Sequence, residues 1–270
     1  MKLSNIFNKK NRVLLRELVV TDFKLRYQGS ALGYLWSILK PLFLFAILYL
    51  VFDQFLRLGR DIEYFPVYLL LGIVLWTFFT EATNNGLQSI ISRGDLIRKI
   101  NFPKYIIVIS GTVSSLINMG INLIVVGVFM IIQGVPVSWD ILLLIPLIAE
   151  LYIFALALAF LLAALNVKFR DAGYIWEVFL QAFFYATPIL YPLAMVIDQS
   201  AFAAKIIMLS PVAQVIQDAR YAAVTENTIT GAQLYSHWYI VLIPFVIVFV
   251  SIIVGGLYFK KNSKQFAENI

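Results

Sequence analysis

The chain has 270 residues, 61% of them hydrophobic and only 13% charged, whereas a water-soluble domain carries about 25% charged residues, so a soluble globular fold is excluded. The absence of cysteine removes disulfides and thiolate metal sites, and a single histidine removes a histidine-rich metal centre. A formal net charge of +6 would fit a nucleic-acid binder, but where the basic residues fall decides what that charge means, and they fall as a membrane topology requires.

Residues 1–33 hold seven Lys or Arg and no continuous apolar core, so no cleavable signal peptide is expected there. The stretch 13–27, VLLRELVVTDFKLRY, mixes apolar residues with Arg16, Glu17, Asp22, Lys24 and Arg26 and ends on Tyr27. Leu14, Leu18, Thr21 and Leu25 recur at helical spacing, which predicts an amphipathic helix along the membrane interface. Gln28, Gly29 and Ser30 then allow a turn into the bilayer.

Six intervals are apolar enough to cross about 30 Å of hydrocarbon, which takes roughly 20 helical residues. The first, 34–52, is interrupted by Lys40 beside Pro41; the lysine stem can return its ammonium to the headgroups, and the proline favours a bend. The second, 66–91, carries Glu81 beside Thr80, Thr83, Asn84 and Asn85. The third covers 105–133 and the fourth 141–165, with Glu150 inside. The fifth, 174–190, holds Glu177 and is closed by Pro188 and Pro192, and the sixth runs over 238–259. An even count puts both termini on one side. Residues 1–40, 93–104, 166–173 and 260–270 hold 17 of the 21 Lys and Arg, which places them in the cytoplasm.

The outer segment 191–237 is too charged for a further span, since Lys205, Asp218 and Arg220 would have to cross lipid. Two short helices, 202–209 and 212–224, are predicted instead, the second opened by Ser210 as cap and Pro211 at the first helical position. They serve either as a structural cap or as an exit gate. Between the second and third spans, Asp95 favours the start of a short helix, Arg98 and Lys99 its end, and Leu96, Ile97 and Ile100 give it an apolar face. Pro103 then holds Phe102 extended.

No phosphate-binding glycine loop, metal-binding histidine pair or nucleophile elbow is present. Glu81 and Glu150 remain open between hydrogen bonding among helices and lining of a translocation path; Glu177 lies within reach of loop arginines. A proton-coupled carrier would need a protected central carboxylate and internal repeats, and no convincing repeat is found. Most aromatics fit interface anchoring, but Phe179, Phe183, Phe184, Tyr185 and Tyr191 along the fifth span also offer flat faces for sugar rings or for packing.

The chain resembles the membrane-spanning permease subunit of ABC-2 type exporters, in the branch that moves polysaccharides or polyol-phosphate polymers such as O antigen and teichoic acid. The resemblance covers residues 12–262 and is carried by LRYQGSALGYLWSILKPL (25–42), GDLIRKINFPK (94–104), NVKFRDAGYIW (166–176), YATPILYP (185–192) and SPVAQVIQDAR (210–220). Family members often have Asn-Pro where Ser210 and Pro211 stand here. The resemblance implies a single all-α ABC-2 type transmembrane domain over 1–270: six spans within 34–259, a cytoplasmic gate helix within 1–33, two short re-entrant outer helices, and a cytoplasmic tail at 260–270. It implies an exporter subunit in the bacterial inner membrane, not an enzyme, paired with a second copy of itself and two ATPase subunits, and moving a lipid-linked polysaccharide. Teichoic acid or a small molecule is the alternative cargo. No cofactor is expected on this chain, ATP and Mg being held by the partner, and no nucleic acid is expected.

By the same resemblance Arg16, Asp22, Lys24, Arg26 and Tyr27 belong to the gate helix. Gly94, Asp95, Leu96, Ile97, Arg98, Lys99, Ile100, Phe102 and Pro103 form the coupling element, and Lys168, Arg170 and Asp171 a second ATPase contact. Trp36, Tyr185 and Tyr191 are expected to line the channel.

Overall fold

The structure is a computed structural model that describes residues 9–27, 32–57, 59 and 62–266. The turn expected at Gln28 to Ser30, the side chains of Leu25, Arg26 and Tyr27, and the tail beyond 266 lie outside the described residues.

The interface helix is α1 (Lys9–Tyr27), and the spans that follow are α2 (Trp36–Tyr49, continued by a wider turn over Leu50–Phe55), α3 (Phe65–Ser89), α5 (Tyr105–Gln133) and α6 (Leu144–Lys168). Between α3 and α5 lies the six-residue α4 (Gly94–Lys99). After α6 come α7 (Ala172–Ala186) and a run of short helices: α8 (Leu193–Gln199), α9 (Ala201–Met208), α10 (Pro211–Ala223), α11 (Gly231–Leu234) and α12 (Trp238–Val241). The last helix is α13 (Ile243–Asn262).

Among the described residues, five helical stretches are long and apolar enough to cross a membrane: Trp36–Phe55, Phe65–Ser89, Tyr105–Gln133, Trp139–Lys168 and Trp238–Asn262. The expected fifth span differs. Its helix, α7, stops after 15 residues, because the chain turns extended at Thr187 ahead of Pro188.

Helix α3 is the axis of the bundle, with 18 of its 25 residues buried, and it packs chiefly on α5 and α6; α13 covers the other side of α6. Lipid tails are as apolar as the helices, so association depends on close packing and polar contacts. Helix α6 meets both neighbours through small residues. A Cβ on Gly86 of α3 would stand 2.2 Å from the Ala159 Cβ, and one on Gly255 of α13 would stand 2.3 Å from the Ala157 carbonyl oxygen. Only glycine permits either approach. Helix α5 ends on Gly134, whose left-handed φ of 67° closes the helix with bonds back to Ile131 and Met130.

The outer segment corrects the expectation of two helices. Helices α9 and α10 lie where they were expected, but α8 and α11 accompany them, while α12 opens the last span. Their start signals were present in the sequence: Ser200 accepts a bond from the Ala203 amide and opens α9, separating it from α8. Thr230 and Gln233 form a reciprocal capping box on α11. Ser210, by contrast, makes no side-chain cap on α10, which relies on Pro211 in its first turn.

Candidate functional site

Polar residues that the sequence scatters over three spans come together on one wall. Asn85 of α3 donates to the Ser115 hydroxyl of α5 at 2.8 Å, and Asn118 of α5 donates to the Glu81 carboxylate of α3 at 2.8 Å. Asn122 reaches the Ser37 carbonyl of α2 at 3.2 Å. Glu81 and Asn85 are four residues apart, as are Asn118 and Asn122, so each pair shares a helix face. Beside this ladder opens a cavity of about 540 Å³ between α2, α3 and α5. Trp36 and Lys40 of α2 line it opposite Thr77, Thr80, Glu81 and Asn84 of α3. Hydroxyls, amides, one cation and one carboxylate facing a flat indole suit a hydrated, hydroxyl-rich solute better than a lipid tail. Lys40 thus joins the groove, and α2 continues unbroken through Pro41. The interhelical contacts through Ser115, Asn118 and Asn122 were not anticipated; their spacing of three and four residues within an apolar run was the available signal.

Of the three aromatics expected to line a common channel, Trp36 stands in this groove, whereas Tyr185 and Tyr191 meet at the end of α7. There the Tyr191 hydroxyl donates to the carbonyls of Tyr185 and Ala186 at 2.8 and 3.2 Å. That hydroxyl therefore closes a helix end, while the Tyr185 ring is exposed. Phe179 and Phe183 stack on Trp176 in a ladder with centroids 6.2 and 5.1 Å apart, and the Trp176 indole donates to Thr83 of α3 at 3.3 Å. Glu177 is exposed on α7.

At the opposite end of the bundle, α1, α4, the start of α5 and the ends of α6 and α13 share one apolar cluster that includes Leu18, Ile97, Ile106, Val167 and Phe259. Asp22 of α1 pairs with Arg93, immediately before α4. The Lys104 ammonium donates to the Ser263 carbonyl at 2.8 Å, closing the end of α13. Helix α4 forms where expected, with Asp95 in its first turn and Arg98 and Lys99 in its last. Its expected apolar face is divided between the bundle and the surface. Ile97 is 6% exposed inside the chain's own cluster, Leu96 packs partly against that cluster, and Ile100 is 54% exposed. Six residues make fewer than two turns, so one side of α4 must seat on the bundle. Gly94 is buried with Ile97, Phe102 and Pro103 are half-buried, and Arg98 and Lys99 are exposed. In α1, Arg16 and Lys24 are exposed. Lys168, Arg170 and Asp171 form an exposed turn, with the Lys168 ammonium 5.0 Å from the centre of the Phe169 ring.

Arg220 of α10 is the residue whose role the sequence concealed. It is fully buried. Its guanidinium donates to the carbonyls of Tyr68 (3.0 Å), Pro188 (2.6 Å) and Ile189 (2.7 Å) and lies 3.6 Å from the Tyr68 ring centre. A fork of five donors suits the Pro188 and Ile189 carbonyls, which no helix satisfies, together with the second lone pair of the Tyr68 carbonyl in α3. Gly72 makes room: a Cβ there would stand 2.4 Å from the Arg220 Nη2. On the same buried side, Gln214 donates to Asp218 at 2.5 Å, next to Glu150 of α6. Glu150 is thereby placed among the residues that hold α10, away from the groove of Glu81. Among the described residues no group of three His, Cys, Asp or Glu could hold a metal ion.

Comparison with known proteins gives concordant matches. The family model described as ABC-2 type transporter matches residues 13–224. The O-antigen export system permease protein RfbA of Myxococcus xanthus is 35% identical over 190 residues, covering 70% of this chain and 72% of that one. A protein of the same name from Klebsiella pneumoniae is 30% identical over 256 residues, 94% of each chain.

Proposed function

The chain belongs to the ABC-2 type transporter family, and on that premise we propose that it is the membrane subunit of an ATP-driven exporter of a lipid-linked polysaccharide such as O antigen. It is a transport subunit and not an enzyme. The observation that carries the cargo class is the likeness to O-antigen export permeases over 94% of the chain, and the polar groove of Trp36, Lys40 and Glu81 is chemistry that such a cargo requires. The exporter pairs two copies of this chain with two ATPase subunits that hold ATP and Mg, in the bacterial inner membrane.

Six crossings with both termini cytoplasmic are the topology we assign. The shared cluster of α1, α4 and the ends of α6 and α13 supports it, because the chain must leave that side after α6 to return through α13. Helix α7 makes the outward crossing, completed by residues 187–190, which are buried. Non-helical backbone is tolerated at membrane depth when protein covers it, and Arg220 satisfies two of its carbonyls. Helices α8 to α11 then form the outer gate. Helix α4 is the main coupling element, using Arg98, Lys99 and Ile100 outward, with Lys168, Arg170 and Asp171 as the second contact and α1 as the gate helix.

The test is export in a strain lacking its own O-antigen permease, supplied with this chain and its ATPase. Surface glycan is expected with the wild-type pair and not with an ATPase unable to hydrolyse ATP. Export that persists without hydrolysis and stops with a protonophore would establish the carrier reading instead; drug efflux without glycan would establish a small-molecule exporter. Ile100→Asp should insert normally yet lose ATPase binding, since an interface buries the carboxylate at a cost. Normal binding would remove α4 from the coupling role.

A further inference from the structure

A second cavity, of about 370 Å³, lies at the start of α3, enclosed by the beginning of α8, the inner face of α10 and the loop after it. Its volume falls within the roughly 300–1,000 Å³ of small-molecule sites. Two buried side chains lining it have polar atoms without a partner: the Nε2 of Gln217, a residue 0% exposed, and the Oγ1 of Thr228, a residue 5% exposed. The orientation of the Gln217 amide follows from its neighbours. Arg220 and the Tyr68 hydroxyl both donate to its oxygen, each at 3.4 Å, and because arginine has no acceptor the NH₂ group is turned away from it. Glu63, on the rim, is itself positioned, accepting from the Thr225 hydroxyl at 2.9 Å and from the Asn227 amide at 3.3 Å.

We propose that this cavity is a binding subsite for a single pyranose ring of the exported glycan on the outer side of the membrane, a role that rests on the function and topology proposed above. The lining discriminates among ligand classes. An inorganic or lipid phosphate would meet the carboxylates of Glu63 and Asp198. A metal cation would meet the Gln217 amide donor and Arg57, and an apolar ligand would leave the polar atoms of Gln217 and Thr228 unpaired. A sugar ring matches all of it. Its hydroxyls both donate and accept, and its C–H faces fit the apolar walls supplied by Pro192, Leu193, Met195 and Ile229. Because α8, α10 and the loop at 225–229 all contribute, ring occupancy and the arrangement of the outer helices are linked. A subsite on an exit path must bind weakly so that the chain leaves, which sets the expected affinity in the millimolar range.

The full chain in lipid nanodiscs is titrated with the methyl glycosides of glucose, galactose, mannose, rhamnose and N-acetylglucosamine, with binding read by saturation-transfer NMR. At least one is expected to bind, and the Asn227→Ala/Thr228→Val double variant should weaken it about tenfold, the equivalent of two lost hydrogen bonds. The chain has no cysteine, so Met195→Cys reports independently: the same glycoside should slow its modification by a membrane-impermeant thiol reagent. Met195→Trp, which fills the cavity from an exposed position, replaces the double variant if that one loses its wild-type melting temperature. No binding by any glycoside, or binding unchanged in the variants, overturns the proposal and leaves a cavity that holds water only. Purified chain is used throughout, so failure of glycan export in cells would count against the function and not against the subsite.

Discussion

Helices α7 and α10 are similar in length and opposite in every other respect. Helix α7 carries Glu177 and Gln181 among apolar and aromatic residues, yet among the described residues only Leu180 of its 15 is buried. Helix α10 carries Gln214, Gln217, Asp218 and Arg220, and 11 of its 13 residues are buried. In water the order would be reversed. In lipid, apolar surface gains little by leaving the solvent, while polar groups must find partners within the protein. The more polar helix is therefore the one the bundle encloses, and the more apolar one stays at its edge.

The contrast breaks most sharply at Arg220. Arg220→Leu leaves the carbonyls of Pro188 and Ile189 without the guanidinium donor and removes a second donor from that of Tyr68; it is expected to destabilise by about 3 kcal/mol or more, read as an early transition in thermal melting by fluorescence-detected size exclusion. Arg220→Lys should recover only part of this, because an ammonium cannot span three carbonyls as the guanidinium fork does. A melting curve unchanged by Arg220→Leu would refute the anchoring role.

Gly72→Val presses on the same guanidinium from α3, where even a Cβ stands 2.4 Å away. Overpacking of about 1–3 kcal/mol is expected, and the effect should largely vanish in the Arg220→Leu background because the two residues share one site. Additive effects would separate them.

Asn118→Leu removes one rung between α5 and α3. Interhelical bonds of this kind are worth about 1 kcal/mol or less, so the melting shift should be small while export, if the groove carries the cargo, falls further than stability does. Equal loss of both would make the rung purely structural.

On α7, Ile175→Ala and Val178→Ala alter exposed side chains and should change the stability of the isolated chain by no more than about 0.5 kcal/mol. Larger losses would show that α7 is held by more than Leu180 and Trp176. The same variants measured against protein concentration would reveal whether a second copy covers this face.

Much of the fold was legible because the membrane reduces span recognition to a matter of length: the third span begins at Tyr105 and ends at Gln133 as read, the first, second, fourth and sixth end within three residues of expectation, and the helix of the fifth stops four residues short. The short helix α4 was legible from Asp95, Lys99 and Pro103, which act locally. Which side of it seats on the bundle was not, because Leu96, Ile97 and Ile100 are equivalent until Leu18 and Ile106 are placed beside them. Arg220 was read only as a charge that lipid would refuse. Its partners lie 152, 32 and 31 residues away, beyond any periodicity. The polar groove lay between these extremes, its residues visible but its wall assembled only when α2, α3 and α5 meet.

The shortness of α7 also bears on the bilayer itself. Fifteen helical residues rise about 22 Å, some 8 Å less than the hydrocarbon thickness of about 30 Å. In the six-crossing topology we propose, the non-helical residues 187–190 supply the missing length, at up to about 3.3 Å each. The depth of this crossing then hangs on the carbonyls that Tyr191 and Arg220 hold, so a single guanidinium sets the bilayer thickness that this part of the chain matches.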